Sequence, residues 1–273
     1  MTDLVHSQGL VTAGDGGSLD GRRRRWISGG AASAVAAKLD IAAHGLDEGV
    51  LSYIDTGSEH PDTERFLSDL ELWFGAPIER LKSDKYSDTW DVWEKRRFLR
   101  GPNGAACTQW LKRRVREDLQ ISATTPQVWG YTADKRELKR ADLFRRHHYG
   151  EINSVMPLID GDLTKADCYA LIERAGMKLP EPYLLGFDNN NCIPCVKAEG
   201  AKYWNRIRRH FPDRFDRMAK LERDLGYALV RIAKVAVYLD ELDPEAGADD
   251  DAGEPISCGI TCFIAEQNME RAA

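Results

Sequence analysis

The sequence predicts an α/β protein built on a doubly wound, mainly parallel sheet, with a helical, cysteine-bearing C-terminal extension. Three observations predict it. Short apolar runs alternate with helical periodicity from residue 26 to residue 175, the pattern of strands joined by crossover helices. The first run breaks into Ser28-Gly-Gly30 immediately before an alanine-rich stretch, so a glycine turn opens a helix straight from a strand. The second run ends on Asp55-Thr56-Gly57, and ligands of such sheets sit beyond the carboxyl ends of the strands.

The elements follow in order. Residues 1–24, rich in Gly, Ser and Asp, read as a tail, and the arginine run Arg22 to Arg25 flanks a first strand whose apolar residues are only Trp26 and Ile27. A helix is expected over 31–44, a second strand over 50–54, and a helix over 61–74 with Phe66, Leu67, Leu70 and Phe74 at helical spacing. A third strand is expected over 77–81 and a fourth over 127–131, with helices over 89–97 and 109–119 between them. A fifth strand over 155–159 precedes a helix over 165–175 that Gly176 ends. The main domain then spans 25–200. Residues 201–245 form an extension with a basic helical region over 202–228 and a terminal strand over 235–239. Residues 246–273 hold an acidic linker and a cysteine-containing tail that runs into a short helix.

With 42% hydrophobic and 30% charged residues over 273 positions, the chain can bury a full core. It has no apolar run of membrane-spanning length and no apolar signal core at its start, so a cytoplasmic protein without a membrane partner is expected. A net charge of −6 argues against indiscriminate nucleic-acid binding. Basic clusters over 135–146 and 206–210 read mainly as solvated helix faces, with Arg136 singled out because it follows the strand-four turn. Six cysteines in an intracellular chain of this size point to metal or redox chemistry rather than a disulfide framework.

Ser28, Gly29, Gly30 and Ser33 carry the first chemical reading. A glycine turn at a helix N-terminus converges backbone N–H groups on one anion, and the two serines add hydroxyl donors. No Gly-Lys-Ser/Thr follows, so this is not a Walker loop. Asp55, at a strand end beside that turn, can hold Mg²⁺ or a ribose hydroxyl, or simply cap the turn through Thr56 and Gly57. Cys192 and Cys195 are spaced to face one metal, with Pro194 stiffening the turn. Cys258 and Cys262 form a second pair, Cys107 is a fifth candidate, and Cys168 reads as a small core residue.

The ordered series of motifs resembles the adenylyl-sulfate and phosphoadenylyl-sulfate (PAPS) reductase family of the PP-loop, adenine nucleotide alpha hydrolase-like superfamily. Trp26-Ile-Ser-Gly-Gly-Ala-Ala-Ser33 is similar to the Ser-Gly-Gly-x-x-Ser PP-loop, and Asp55-Thr-Gly57 with Pro61-Asp-Thr63 to an Asp-Thr-Gly followed by Pro-Glu-Thr. Cys107-Thr-Gln-Trp-Leu-Lys112 is similar to the Cys-Thr-x-x-Leu-Lys of relatives engaged in DNA and tRNA sulfur chemistry. Gly130-Tyr-Thr-Ala-Asp134 is similar to the strand-four segment whose glycine faces the nucleotide. Pro157-Leu-Ile-Asp160 and Tyr183-Leu-Leu-Gly-Phe187 followed by Cys192-Ile-Pro-Cys195 complete the series. Ser257-Cys-Gly-Ile-Thr261 resembles the Glu-Cys-Gly-Ile/Leu-His tail of the reductases without its Glu or His. Ala31 and Ala32 stand where many members place Lys and Asp.

The resemblance implies an adenine nucleotide (PAPS, adenylyl sulfate or ATP) held by Ser28, Gly29, Gly30, Ser33, Asp55, Thr56, Gly57, Lys112, Gly130 and Arg136. It implies tail thiols, Cys258 and Cys262, as the catalytic candidates. It also implies a [4Fe–4S] cluster ligated by Cys107, Cys192, Cys195 and a tail cysteine, Cys262 among them. Zinc on the same thiols, or free thiols, are the alternatives. The implied activity is thiol-dependent reduction of a sulfonucleotide, with a thiol donor such as thioredoxin as partner. The other implied activity is an ATP pyrophosphatase that adenylates a nucleic-acid or small-molecule target for sulfur insertion. A non-catalytic nucleotide-binding module with structural zinc, and a homodimer, are further expectations.

Overall fold

The computed structural model describes residues 22–147, 150–247 and 260–270. Five strands, β1 (Arg23–Ile27), β2 (Gly49–Asp55), β3 (Glu79–Lys82), β4 (Gln127–Val128) and β5 (Ser154–Val155), pair in the order β3-β2-β1-β4-β5. Every pairing is parallel. Successive side chains of β1 point to opposite faces. Ile27 joins α1 (Ala31–His44), α2 (Asp62–Phe74) and α6 (Lys165–Arg174) in one core, while Trp26 packs with Trp129, Phe144 and Met156 in the other. The second face is covered by α5 (Lys135–His147) and by Val115, within the helical stretch of residues 106–118. That stretch, α4, contains a π-helical turn at Gln109–Arg113. Helices on both faces of a parallel sheet make this an α/β fold.

The arginine run lies inside the first strand, not beside it. Arg25 is fully buried on the α1 face, where Nε donates to Asp40 Oδ2 at 2.8 Å and its guanidinium caps the Gly45 and Leu46 carbonyls at 2.7 and 3.1 Å. Arg23 Nε donates to the same carboxylate at 2.9 Å, and Arg24, on the opposite face, reaches Ser52 and Glu79, each at 2.6 Å. Cations are tolerated in a buried strand because each finds a carboxylate and several acceptors.

Three further expectations are corrected. The fifth strand stops at Val155, and Pro157–Asp160 is a helical turn, since Pro157 has no N–H for a ladder but suits a first helical position. The basic helical region is two helices, α7 (Ala201–His210) and α8 (Pro212–Leu225). Phe211, at φ −139° and ψ 60°, is held out of the helical region by the proline that follows it. The terminal strand, Val235–Val237, belongs to an antiparallel hairpin with Val230–Ile232 rather than to the main sheet. Its two turn residues, Ala233 and Lys234, both have positive φ, as a tight hairpin turn requires.

α3 (Thr89–Arg96), α7, α8 and the hairpin share a second core around Trp93, Trp204, Phe215 and Met218. Inside it the Glu222 carboxylate accepts the Leu229 and Leu239 N–H groups at 2.5 and 2.8 Å. The last helix, α9 (Ile260–Glu270), returns to the first core, where Ala265 and Met269 pack on α1 and α6 and Glu266 pairs with Arg174. No helix among the described residues is long and apolar enough to cross a membrane.

Two outcomes follow from these buried charges. Asp40→Ala strands Arg23 and Arg25 without their shared carboxylate, so chemical denaturation of the variant should show a loss of about 3–5 kcal/mol. A loss under about 1 kcal/mol contradicts the assignment. Desolvation raises the Glu222 pKa from 4.5 to about 7, so the folded chain holds one proton more than the unfolded chain between those values. Stability from this group is full below about pH 4.5 and falls as pH rises to about 7. Glu222→Gln should flatten that part of the stability–pH curve.

Candidate functional site

Parallel pairing of β1 and β2, with Ile27 opposite Tyr53, brings the carboxyl ends of both strands to one edge of the sheet, β2 running on to Asp55. There Gly29, at φ +75°, turns the chain, and α1 begins at Ala31 with no side chain capping its N-terminus. Ser33 Oγ donates to the Gly30 carbonyl at 2.9 Å and accepts the Ser28 N–H at 3.0 Å, while the two serine hydroxyls lie 2.9 Å apart. The turn is thus closed by its own serines, and Ser28 stays exposed. Tyr183 stands over it, its hydroxyl 3.4 Å from the Ala31 N–H. A Cβ on Gly30 would lie 2.8 Å from that hydroxyl.

At the end of β2, Asp55 Oδ1 accepts the Gly57 N–H at 2.7 Å, and Lys82 Nζ, from the end of β3, is 3.4 Å from Oδ2. Gly57, at φ +68°, has no room for a side chain, because a Cβ would sit 2.2 Å from the Ser87 carbonyl. Thr56 is buried, and its hydroxyl is 2.6 Å from Glu59 Oε1 and 2.9 Å from Cys192 Sγ. Glu59 also accepts the Thr56 and Ser58 N–H groups at 3.2 and 3.1 Å. Half-buried Glu59 therefore joins the strand end to the cysteine loop, a role the sequence analysis did not assign it.

Cys107, Cys192 and Cys195 line one cavity of about 40 Å³ with Lys112, Thr56, Thr89 and Trp93. The π-helical turn places Cys107 and Lys112 on the same wall. The 192–195 loop is pinned on three sides: Ile193 N–H donates to the Ser58 carbonyl at 2.8 Å, Arg214 to the Ile193 carbonyl at 2.7 Å, and Cys195 N–H to the Tyr203 hydroxyl at 2.6 Å. The Ile193–Pro194 peptide is cis. Burial pushes the Cys192 thiol up to about 12, against the opposing pull of Lys112, and burial likewise raises the Cys107 thiol. Burial works to lower the Lys112 ammonium, but Cys192, Glu59, Cys107 and Cys195 together hold it above its ordinary value. The cavity is therefore a set of soft donors around a retained cation. Such donors suit zinc or an iron–sulfur centre. Among the described residues, however, no three His, Cys, Asp or Glu side chains close on one point as metal ligands.

Gly130 faces the backbone of the first α1 turn, where a Cβ would lie 2.6 Å from Ser33 N; the glycine permits the chain after β4 to approach the start of α1. Arg136 is exposed on the first turn of α5. Cys258 lies outside the described residues, and Cys262 belongs to α9, whose described side chains start at Ile264. Cys168 is fully buried in the core. Asn190 was also missed: its amide donates to the Gly29 carbonyl at 2.8 Å and to Thr63 Oγ1 at 3.0 Å. A lone asparagine in a Asp-Asn-Asn-Asn run reads as a loop, and only the tertiary contact distinguishes it.

No model of a known protein family matches the sequence. An uncharacterized protein of Methanocaldococcus jannaschii is 25% identical over 206 residues, which cover 72% of this chain and 41% of that protein. The chain thus spans about two fifths of the length of that relative. Among solved structures, a phosphoadenylyl-sulfate (PAPS) reductase from Candida auris, in a phosphate complex, aligns over 63% of this chain and 81% of its own, with a TM-score of 0.41 and 14% identity.

Ser28→Ala combined with Gly30→Val removes one hydroxyl donor and drives Tyr183 from the turn. With hydrogen bonds to a charged ligand worth about 1.5–3 kcal/mol each, AMP affinity by calorimetry should fall at least about 100-fold. Unchanged affinity removes the turn from the site.

Proposed function

We propose that this chain is an enzyme that binds an adenine nucleotide at the carboxyl edge of β1 and β2 and performs thiol-dependent sulfur chemistry of the sulfonucleotide reductase kind. One observation carries the reading: the loop whose Cys192 and Cys195 line the thiol cavity also touches the turn before α1, through Asn190 on the Gly29 carbonyl at 2.8 Å, while Thr56 at the end of β2 is 2.9 Å from Cys192. Phosphate oxygens accept the N–H groups of Gly30, Ala32 and Ser33 at the first α1 turn together with the exposed Ser28 hydroxyl, while Ser33 Oγ braces the turn on the Gly30 carbonyl. Asp55, fixed by Gly57 and flanked by Lys82, accepts ribose hydroxyls or holds Mg²⁺.

In the reductive reaction a tail thiolate, Cys258, attacks the sulfur of the sulfate group. The sulfur–oxygen bond to the phosphate breaks, the bonding pair leaves with AMP or its 3′-phosphate, and an enzyme thiosulfonate remains. A donor thiol, from a dithiol such as that of thioredoxin, attacks the cysteine sulfur, and sulfite departs with the electron pair. The donor's second thiol reduces the mixed disulfide and restores the enzyme thiol. Cys107, Cys192 and Cys195, with Cys262, would hold a [4Fe–4S] cluster or zinc, which would keep these thiols deprotonated and pin the tail to the cavity beside the sulfonate. Lys112 supplies a cation of this chain's own to the same place.

A second reading is favoured by the common wall that Cys107 and Lys112 share: an ATP pyrophosphatase that adenylates a target, nucleic acid included, before sulfur insertion. Anaerobic incubation with adenylyl sulfate or PAPS and a dithiol separates the two. The reductase reading predicts sulfite and the nucleoside phosphate in equal amounts without ATP. ATP-dependent pyrophosphate release without sulfite selects the second reading, and neither product contradicts both. Elemental analysis of the same preparation distinguishes iron with sulfide from a single zinc.

A further inference from the structure

The loop that carries Cys192 and Cys195 also reaches into the phosphate turn, through Asn190. Asn190 is buried, and Nδ2 donates to the Gly29 carbonyl at 2.8 Å. A trans peptide is planar, with its C=O and N–H pointing in opposite directions. Fixing the Gly29 carbonyl toward Asn190 therefore fixes the Gly30 N–H toward the opposite side, where α1 opens. Gly29 sits at φ +75°, and a Cβ there would lie 2.8 Å from Thr63 Cγ2, so the turn packs closely on the residue that holds Asn190. Thr63 holds the asparagine in turn, its Oγ1 accepting from Nδ2 at 3.0 Å. The Ala31 N–H, at the start of α1, donates to the Tyr183 hydroxyl at 3.4 Å.

Two residues further on, Cys192 is bound to Thr56 at 2.9 Å, and Ile193 and Cys195 are pinned to Ser58 and Tyr203. The loop is thus strapped at both ends, one end setting a peptide plane in the phosphate turn and the other forming a wall of the thiol cavity. We propose that Asn190 is a positioning residue that orients the Gly30 N–H toward the bound phosphate and ties that orientation to the loop carrying Cys192 and Cys195. This rests on the phosphate site proposed above. A change at Cys192, by ligation or modification, reaches phosphate affinity through a displacement of Asn190.

The test is calorimetric binding of AMP and of adenosine to the full chain under anaerobic, reducing conditions. Asn190→Ala removes the amide without adding a charge, and Asn190→Ser serves in its place should the alanine variant melt early. AMP should bind about tenfold more weakly or worse, while adenosine changes by less than about twofold, because the lost contact acts on the phosphate alone. Cys192→Ala should weaken AMP binding in the wild-type background and have no further effect beside Asn190→Ala, the non-additivity of coupled residues. Equal losses for AMP and adenosine, or none, overturn the positioning role, and additive effects of the two substitutions overturn the tie to the cysteine loop. In those cases wild-type AMP binding still stands. A wild-type chain that binds no AMP overturns the phosphate site itself, and this inference with it.

Discussion

The parallel register of β1 and β2, which brings their carboxyl ends to one edge of the sheet, is the constraint on which the rest of the site depends. Ile27, the last residue of β1, lies opposite Tyr53 in a parallel pair, and β2 runs on through Ile54 and Asp55 beside β3 before it leaves the sheet. One chain end turns through Gly29 into α1 and the other through Asp55, Thr56 and Gly57 toward α2. A slip of one residue would turn every side chain of a strand to the opposite face, placing Trp26 in the α1 core and Arg25 against Trp129. The arginine pair on Asp40 helps to fix that register, since only one alignment lets Arg25 reach Asp40 and the carbonyls at the end of α1.

Much of this was legible in the sequence where local chemistry decided it. Helix α1 follows from Gly-Gly and alanine, α2 from a proline start and apolar spacing, and the Asp-Thr-Gly turn from its own composition. The misreadings lie where tertiary contacts override the local pattern. Arg23 to Arg25 read as a flank because strand residues are ordinarily apolar, and only Asp40, Ser52 and Glu79 explain their burial. Pro157 and Pro212 set boundaries that the apolar pattern ran through. The Val230–Val237 hairpin turns through Ala233 and Lys234, residues that carry no turn signal.

For the site the same division holds. Ser28, Gly30, Asp55, Cys192 and Cys195 are named by their motifs, and the structure brings them to one sheet edge. Glu59, Asn190 and Tyr203 carry no motif, because their part is to hold neighbours: Glu59 the Thr56 turn, Asn190 the Gly29 carbonyl, Tyr203 the Cys195 N–H. Residues that act through a partner are visible only once the partner is in place. The thiol cavity adds an electrostatic balance, with burial acting against thiolates at Cys107 and Cys192 while Lys112 acts in their favour.

The most direct measurement is a crystal structure of the anaerobically prepared chain with AMP bound. The account predicts the phosphate against the N–H groups of residues 30–33 within hydrogen-bond reach of Ser28. It predicts the ribose beside Asp55 and Gly57, with the thiol cavity open toward the phosphate. A nucleotide seated elsewhere, or a phosphate that leaves the first turn of α1 uncontacted, would contradict it.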